Sequence, residues 1–220
     1  MNRIIVFALM FFCMTMQIEA QTLSEEEVTA KMYQAFELNK AAKKAEALEL
    51  FLIVGENTKQ QRNEGERQVY VCSQTMACQC YELLGRYKEG YLLGKSLLQG
   101  KLNDTERKDV GHLYAMNGYM YACEFIQRDE KGRADYKRGR ELISEILPYS
   151  DGQVKEYAET KIPLSWYFEG AQYAMTQSYD EALSSYEEAL NGFRDLGRVS
   201  EEVDVLSGIA SVSYTHLRAH

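Results

Sequence analysis

The chain has 220 residues, with 25 lysines and arginines against 33 aspartates and glutamates, and it contains only two prolines. Its hydrophobic share of 45% and charged share of 26% are typical of a folded globular chain, which excludes a disordered protein and a protein with several membrane spans. The net charge of −8 argues against nucleic-acid binding, because such surfaces need clustered lysine and arginine. The scarcity of proline and the abundance of good helix formers predict an all-α fold.

The first twenty residues differ from the rest of the chain. Asn2-Arg3 carries one positive charge, and Ile4 to Met16 is an apolar run that only Thr15 interrupts. Ala20 supplies the small residue that a signal peptidase needs before its cleavage point. A membrane span needs roughly twenty apolar residues, so this shorter run predicts a cleaved secretory signal over residues 1–20. The alternatives are an uncleaved membrane anchor and a buried N-terminal helix. We expect export to the periplasmic or extracytoplasmic side of the membrane.

From Ser24 onward, apolar residues recur at helical spacing in pairs of segments with a turn between them. Ser24-Glu25-Glu26-Glu27 is a capping box, which places acids at the positive end of the first helix. Four residues mark the turns of the successive pairs and serve as turn anchors: Lys44, Tyr87, Tyr136 and Tyr179. Between the segments of the third pair lies a longer polar insert around 127–135. The pattern therefore predicts four helical pairs.

The clearest pair covers residues 163–196. Large and small residues recur at every third or fourth position in its two halves: Trp166, Gly170, Tyr173, Ala182, Tyr186 and Ala189. Each half is therefore an amphipathic helix, with Gln177 and Ser178 as the turn between them. Gly170 and Ala182 allow two antiparallel helices to approach closely, and the aromatic residues fill the space between neighbouring pairs.

This order of residues resembles the tetratricopeptide repeat, whose pattern is W…G…Y…A…F/Y…A. The resemblance covers roughly Glu25 to Ser211 and implies a helical solenoid of antiparallel helix pairs over residues 21–211, with about four repeats and the start of a fifth. It assigns Tyr87, Gly118 and Tyr121 to packing in the earlier repeats. The anchors recur at intervals longer than the roughly 34 residues of a standard unit. The family's leucine before the glycine is Glu169 here, and its closing proline is absent. The alternative is a helical bundle with chance spacing.

In this family the first helix of each repeat lines a concave groove that binds peptides or partner helices. The resemblance implies ten groove positions: Met32, Phe36, Asn39, Thr75, Gln79, Glu82, His112, Tyr119, Tyr167 and Met175. Four of these are large apolar side chains, which are plausible binding anchors: Phe36, Tyr119, Tyr167 and Met175. The alternative is that they pack between adjacent helices.

The pattern predicts no catalytic residue, cofactor or metal. His112 is the only histidine before the last nine residues, so neither a Ser-His-Asp triad nor an H-E-x-x-H motif can be assembled. Cys78 and Cys80 are predicted to lie on different faces of one helix. Together with Cys72 they therefore cannot bind a single zinc ion in tetrahedral geometry. Export permits a disulfide, so Cys72 or Cys80 pairs with Cys123, or the cysteines are small packing residues. Both alternatives stay open.

The last nine residues, 212–220, depart from the composition of the chain before them. They resemble one reading frame of the transposase-end adapter used in sequencing libraries, which predicts that the natural protein continues beyond Ser211. The alternative is a genuine helical tail. A repeat array that stops within a unit leaves an apolar helix face uncovered, so we expect residues 21–211 alone to be marginally stable or self-associating.

Two functions follow as hypotheses. The first is an exported, non-catalytic scaffold that binds a protein or peptide. The second is the sensory domain of a membrane-bound signalling protein, because the chain is similar to the extracytoplasmic N-terminal parts of bacterial sensor histidine kinases and helix-turn-helix regulators. An apolar stretch of about twenty residues after the repeats would favour the sensor and would supply its membrane attachment.

Overall fold

The computed structural model describes residues 23–127 and 134–219, so the predicted signal over 1–20 lies outside the described residues. Within these ranges all regular structure is helical, which confirms the all-α class. The chain forms nine α-helices there, and a single 3-10 turn over Leu147–Tyr149 follows the sixth. The helices are α1 Glu25–Lys40, α2 Lys44–Thr58, α3 Glu64–Leu83, α4 Tyr87–Leu98, α5 Asp104–Ile126, α6 Tyr136–Ile146, α7 Gly152–Met175, α8 Tyr179–Asp195 and α9 Val199–Ala219.

The chain divides into two compact units inside α3, with the first ending at Ser73 and the second beginning at Gln74. In the first unit α1 packs against α2. In the second unit α5 packs against α4 and α6, and α7 packs against α6 and α8, while α9 packs on α8. Within each unit, helices that a short turn joins, such as α1 with α2 and α8 with α9, run antiparallel.

The four predicted anchors are the first residues of helices α2, α4, α6 and α8. Four chain reversals share one backbone conformation. In each of them one residue has a φ between 61° and 70° and precedes a helix by two residues: Ala42, Gly85, Gln177 and Gly197. In each, the next N–H donates at 2.9 to 3.0 Å to a carbonyl of the preceding helix: Lys43 to Leu38, Arg86 to Tyr81, Ser178 to Tyr173 and Arg198 to Phe193. These are Schellman-type helix ends.

The N-terminal cap of α1 has the predicted form. The Glu27 N–H donates to Ser24 Oγ at 3.2 Å, and the Ser24 N–H donates to the Glu27 carboxylate at 2.8 Å. Asn103 and Glu106 form a second capping box at the start of α5, with both hydrogen bonds at 2.9 Å. Sequence reasoning missed this second box.

Helix α7 is longer than the sequence pattern indicated. The clearest pattern begins at Pro163, but α7 begins at Gly152 and carries Pro163, buried, in its interior. A proline removes one backbone hydrogen bond from a helix. Here its ring faces Gly192 of α8, where an added Cβ would lie 2.8 Å from Pro163 Cβ. The small residue opposite the ring allows the two helices to stay in contact.

Several residues assigned to repeat packing lie where helices approach each other. A Cβ added at Gly170 would lie 2.9 Å from Cδ1 of Tyr186, and one at Gly118 would lie 2.5 Å from Cγ2 of Ile146. Ala182 and Ala189 are fully buried beside Tyr186 in a cluster between α8 and α9. The remaining assigned residues are partly buried: Tyr87, Tyr121, Trp166 and Tyr173. Tyr121 packs its ring on Tyr91 at 5.8 Å and on Phe125 at 5.1 Å.

Helix α9 continues through Ala219, and Val212 is part of the apolar cluster between α8 and α9. The derivation of residues 212–220 from an adapter stays a prediction, since an amphipathic sequence of any origin can extend a helix by its periodicity.

Candidate binding surface

The second unit carries a polar group formed by α3, α5 and the start of α7. His112 Nδ1 lies 3.0 Å from Oδ1 of Asp151, the residue that precedes α7. Burial raises the pKa of Glu82 on α3, and the nearby His112 acts in the opposite direction. The structure therefore brings the predicted groove residues Glu82 and His112 together and adds Asp151, which the sequence did not indicate.

An aromatic pair lies on the same two helices, α5 and α7. The rings of Tyr119 and Tyr157 stack with centroids 6.3 Å apart and planes at 27°. Tyr157 is 53% exposed. Tyr119 is partly buried, and this burial raises the pKa of its hydroxyl group. Tyr119 also shares a hydrogen bond with Cys123. We call the set of Glu82, His112, Tyr119, Asp151 and Tyr157 the α5–α7 face. It offers an acid–base pair and two aromatic rings.

In the first unit the predicted groove residues are engaged within the unit. Phe36 packs edge-on against Phe51 of α2, with ring centroids 5.5 Å apart. The Lys44 ammonium donates to the Asn39 carbonyl at 2.7 Å and to Asn39 Oδ1 at 2.6 Å. Met32 is partly buried. These contacts favour the packing alternative for Phe36.

The remaining groove predictions fall at scattered places in the second unit. Thr75 is partly buried and Gln79 is exposed on α3. The ring of Tyr167 lies 5.7 Å from that of Tyr186, so it takes part in helix packing. Met175 is 74% exposed at the end of α7. Of the four predicted apolar anchors, Met175 is therefore the most accessible.

Sequence reasoning missed a hydrogen-bonded network around Glu145 on α6. Both carboxylate oxygens accept a hydrogen bond from Tyr91 Oη at 3.0 Å. Oε1 also accepts a hydrogen bond from Tyr114 Oη at 2.5 Å, and it forms an ion pair with the Lys95 ammonium at 2.7 Å. Burial would raise the pKa of Glu145, but the hydrogen bonds from Lys95, Tyr114 and Tyr91 outweigh it, and the pKa is lowered. Burial and the bond to Glu145 raise the pKa of Tyr114. The only local signal was the spacing of Tyr91 and Lys95 by one helical turn.

A second missed group explains a departure from the repeat pattern. Glu169, which occupies the leucine position, pairs with Arg140 of α6 at 2.7 Å. Arg140 also lies 3.4 Å above the ring of Trp166 and donates to Ser165 Oγ at 3.3 Å. The two charged side chains are only 11% and 17% exposed. The carboxylate at position 169 therefore has a specific partner across the α6–α7 contact.

The first unit holds a cavity of about 260 Å³ at the N-terminal ends of α1 and α3. Apolar Val28 and Val69 line it together with polar side chains. Three charged residues line it: Arg62 and Glu66, which form an ion pair at 2.5 Å, and Glu25. The cation of the cavity is therefore already paired with a carboxylate of the same unit.

Within residues 23–127 and 134–219 no three His, Cys, Asp or Glu side chains are grouped so as to hold a metal ion. Cys72, Cys78, Cys80 and Cys123 are free thiols, and the last three are buried. Burial raises the pKa of Cys78 to about 12, so this thiol stays protonated. The buried cysteines occupy the positions expected of small packing residues.

No helix in the described part of the chain combines the length and the apolar character that a membrane span needs. A comparison of the chain with protein-family models found no match, and a comparison with curated proteins found none.

Proposed function

We propose that the chain is a tetratricopeptide-like solenoid that acts as a non-catalytic scaffold for a protein or peptide ligand. Two features support the repeat architecture. The four chain reversals share one backbone conformation, and each precedes a helix by two residues. Small residues lie at helix contacts, as at Gly118 and Gly170. Recurrent local geometry is typical of solenoids, in which each unit packs on its chain neighbours.

The observation that carries the binding role is the α5–α7 face. Tyr157 stacks on Tyr119 with half of its surface exposed, and His112 pairs with Asp151 on the same two helices. Exposed aromatic rings beside charged groups are typical of surfaces that bind peptides, because a ring buries a large area at a small cost in side-chain entropy. Export of the chain stays a prediction from residues 1–20.

Short random peptides displayed on phage and selected on the full chain test this proposal. We expect selected peptides to lose about tenfold in affinity for Tyr157→Ala and for His112→Ala, since both remove side chains of the α5–α7 face. Affinities are measured by isothermal titration calorimetry.

The matched control is Leu92→Ala, which removes an exposed apolar side chain from α4. Selected peptides that bind the two face variants as tightly as the unchanged chain would contradict the proposal. So would a selection that yields no binder.

A further inference from the structure

The chain contains two asparagine–glycine dipeptides, Asn117-Gly118 in α5 and Asn191-Gly192 in α8. An asparagine loses its side-chain amide when the backbone nitrogen of the next residue attacks its Cγ. Glycine hinders this attack least, because it has no Cβ and adopts a wide range of backbone angles. Both dipeptides are therefore chemically suited to deamidation, and they differ in their surroundings.

Asn117 is fully buried where α5 meets α3 and α4. Its Nδ2 donates to the Cys78 carbonyl of α3 at 3.3 Å and to the Leu113 carbonyl of α5 at 2.9 Å. Its Oδ1 lies against Gly90 of α4, where any Cβ would overlap it, and accepts no hydrogen bond from the described residues. The site therefore fits a neutral amide that donates two hydrogen bonds.

The same fold requires glycine at position 118 and blocks its reaction. A Cβ at Gly118 would lie 2.5 Å from Cγ2 of Ile146, so α5 and α6 could not keep their contact. In an α-helix the Gly118 N–H is donated to the carbonyl four residues earlier, and the backbone angles do not allow the five-membered ring of the deamidation intermediate. The native chain thus keeps a reactive dipeptide in a conformation in which it cannot react.

We propose that Asn117-Gly118 is a deamidation site that reacts only when the second unit is unfolded, and that its product cannot return to the native fold. In the reaction the Gly118 nitrogen bonds to Asn117 Cγ, the Cγ–Nδ2 bond breaks, and the Gly118 proton passes through water to the leaving nitrogen, which departs as ammonia. Water then opens the resulting succinimide and leaves an aspartate, or an isoaspartate whose main chain runs through Cβ and Cγ. Water is the only co-reactant.

Neither product fits the site that Asn117 occupies. A carboxylate would turn an oxygen toward the carbonyls of Cys78 and Leu113, and burying it without a cation costs far more than burying an amide. An isoaspartate lengthens the main chain by one atom in the middle of α5 and shifts the helical hydrogen bonds out of register. A chain that reacts at Asn117 is therefore removed from the folded population, and the amount converted records the time that the chains have spent unfolded.

The rate of conversion in the folded and in the unfolded chain tests the first half of the proposal. The full chain is incubated at neutral pH in buffer and in guanidinium chloride, and peptide mass spectrometry follows each asparagine. We expect Asn117 to convert at least about tenfold faster in guanidinium chloride, because the reaction then no longer waits for the second unit to open. Asn191, which has the same glycine neighbour, is the internal control for the unfolded chain. Equal rates at Asn117 in the two solutions, or no conversion in guanidinium chloride, overturn the proposal.

Two matched variants test whether the fold excludes the product. Asn117→Asp and Asn191→Asp add the same carboxylate to a helix, the first at a buried position and the second at an exposed one. Urea unfolding followed by circular dichroism gives the unfolded fraction of each variant in water. We expect that fraction to be at least about tenfold larger for Asn117→Asp than for Asn191→Asp. Equal stability of the two variants overturns the proposal.

Discussion

Glu145 connects three helices of the second unit through hydrogen bonds and an ion pair. Tyr91 and Lys95 reach it from α4 and Tyr114 reaches it from α5. Because these contacts lower the pKa of its carboxyl in the folded chain, they stabilise the fold above the ordinary glutamate pKa of about 4.5. That contribution is lost as the pH falls and the carboxylate is protonated.

Glu145→Gln is expected to lower the free energy of unfolding by about 1 kcal/mol at neutral pH. Hydrogen bonds to a charged group are worth more than this, but the side chain is 37% exposed and water screens it. The difference between the two proteins narrows as the pH falls below about 4.5. Urea unfolding followed by circular dichroism at a series of pH values measures it.

Glu188→Gln, an exposed change on α8, is the control and is expected to leave the pH dependence as it is. A difference for Glu145→Gln that stays constant down to strongly acidic pH would contradict the role given to the ionised carboxylate.

The contact between helices α6 and α7 depends on a charged pair as well as on apolar packing. Arg140 of α6 pairs with Glu169 of α7 and covers the ring of Trp166. Removing one member of a nearly buried ion pair leaves the other charge without compensation, whereas replacing both is often neutral. The tetratricopeptide pattern that the sequence resembles has leucine where this chain has Glu169, and leucine could not pair with Arg140.

Glu169→Leu places the residue of the pattern in the chain, and we expect it to destabilise the fold by about 3 kcal/mol because Arg140 loses its carboxylate. The double variant Arg140→Leu with Glu169→Leu is expected to recover most of this loss. The midpoints and slopes of urea unfolding curves give the free energy of unfolding of the single and of the double variant. Equal stability of Glu169→Leu and the unchanged chain would show that the pair contributes nothing to the α6–α7 contact.

At the scale of the whole molecule, α9 carries a row of exposed apolar side chains. Val199, Val203 and Leu206 are all exposed and share one face of the helix. Exposed apolar surface that is continuous along a helix favours association. The marginal stability or self-association expected of residues 21–211 stays a prediction, and this face of α9 is the surface through which we expect association.

Sedimentation velocity at several concentrations is expected to show that the full chain self-associates and that Val203→Asp reduces this association. Leu92→Asp on α4 changes an isolated exposed leucine and serves as the control. A monodisperse monomer at every concentration would rule out the expectation.

Much of the local structure could be predicted from the sequence. The all-α class, the capping box at Ser24 and the turns marked by Lys44, Tyr87 and Tyr179 depend on residues that are close together in the chain. Side-chain periodicity, caps and turn residues act over one or two helical turns, so their pattern can be recognised in the sequence without a tertiary structure.

Only the tertiary structure decided which side chains meet across helices. Glu145 accepts hydrogen bonds from Tyr91 and Tyr114, which lie far from it in the chain. Glu169 forms an ion pair with Arg140, and the ring of Tyr157 stacks on that of Tyr119. Pro163 lies inside α7, and its ring packs against Gly192 of α8. Such pairings depend on the angles and separations at which helices pack, which no local pattern contains. The sequence by itself therefore determined the helices and their turns, and the packed chain determined which side chains meet and which stay exposed.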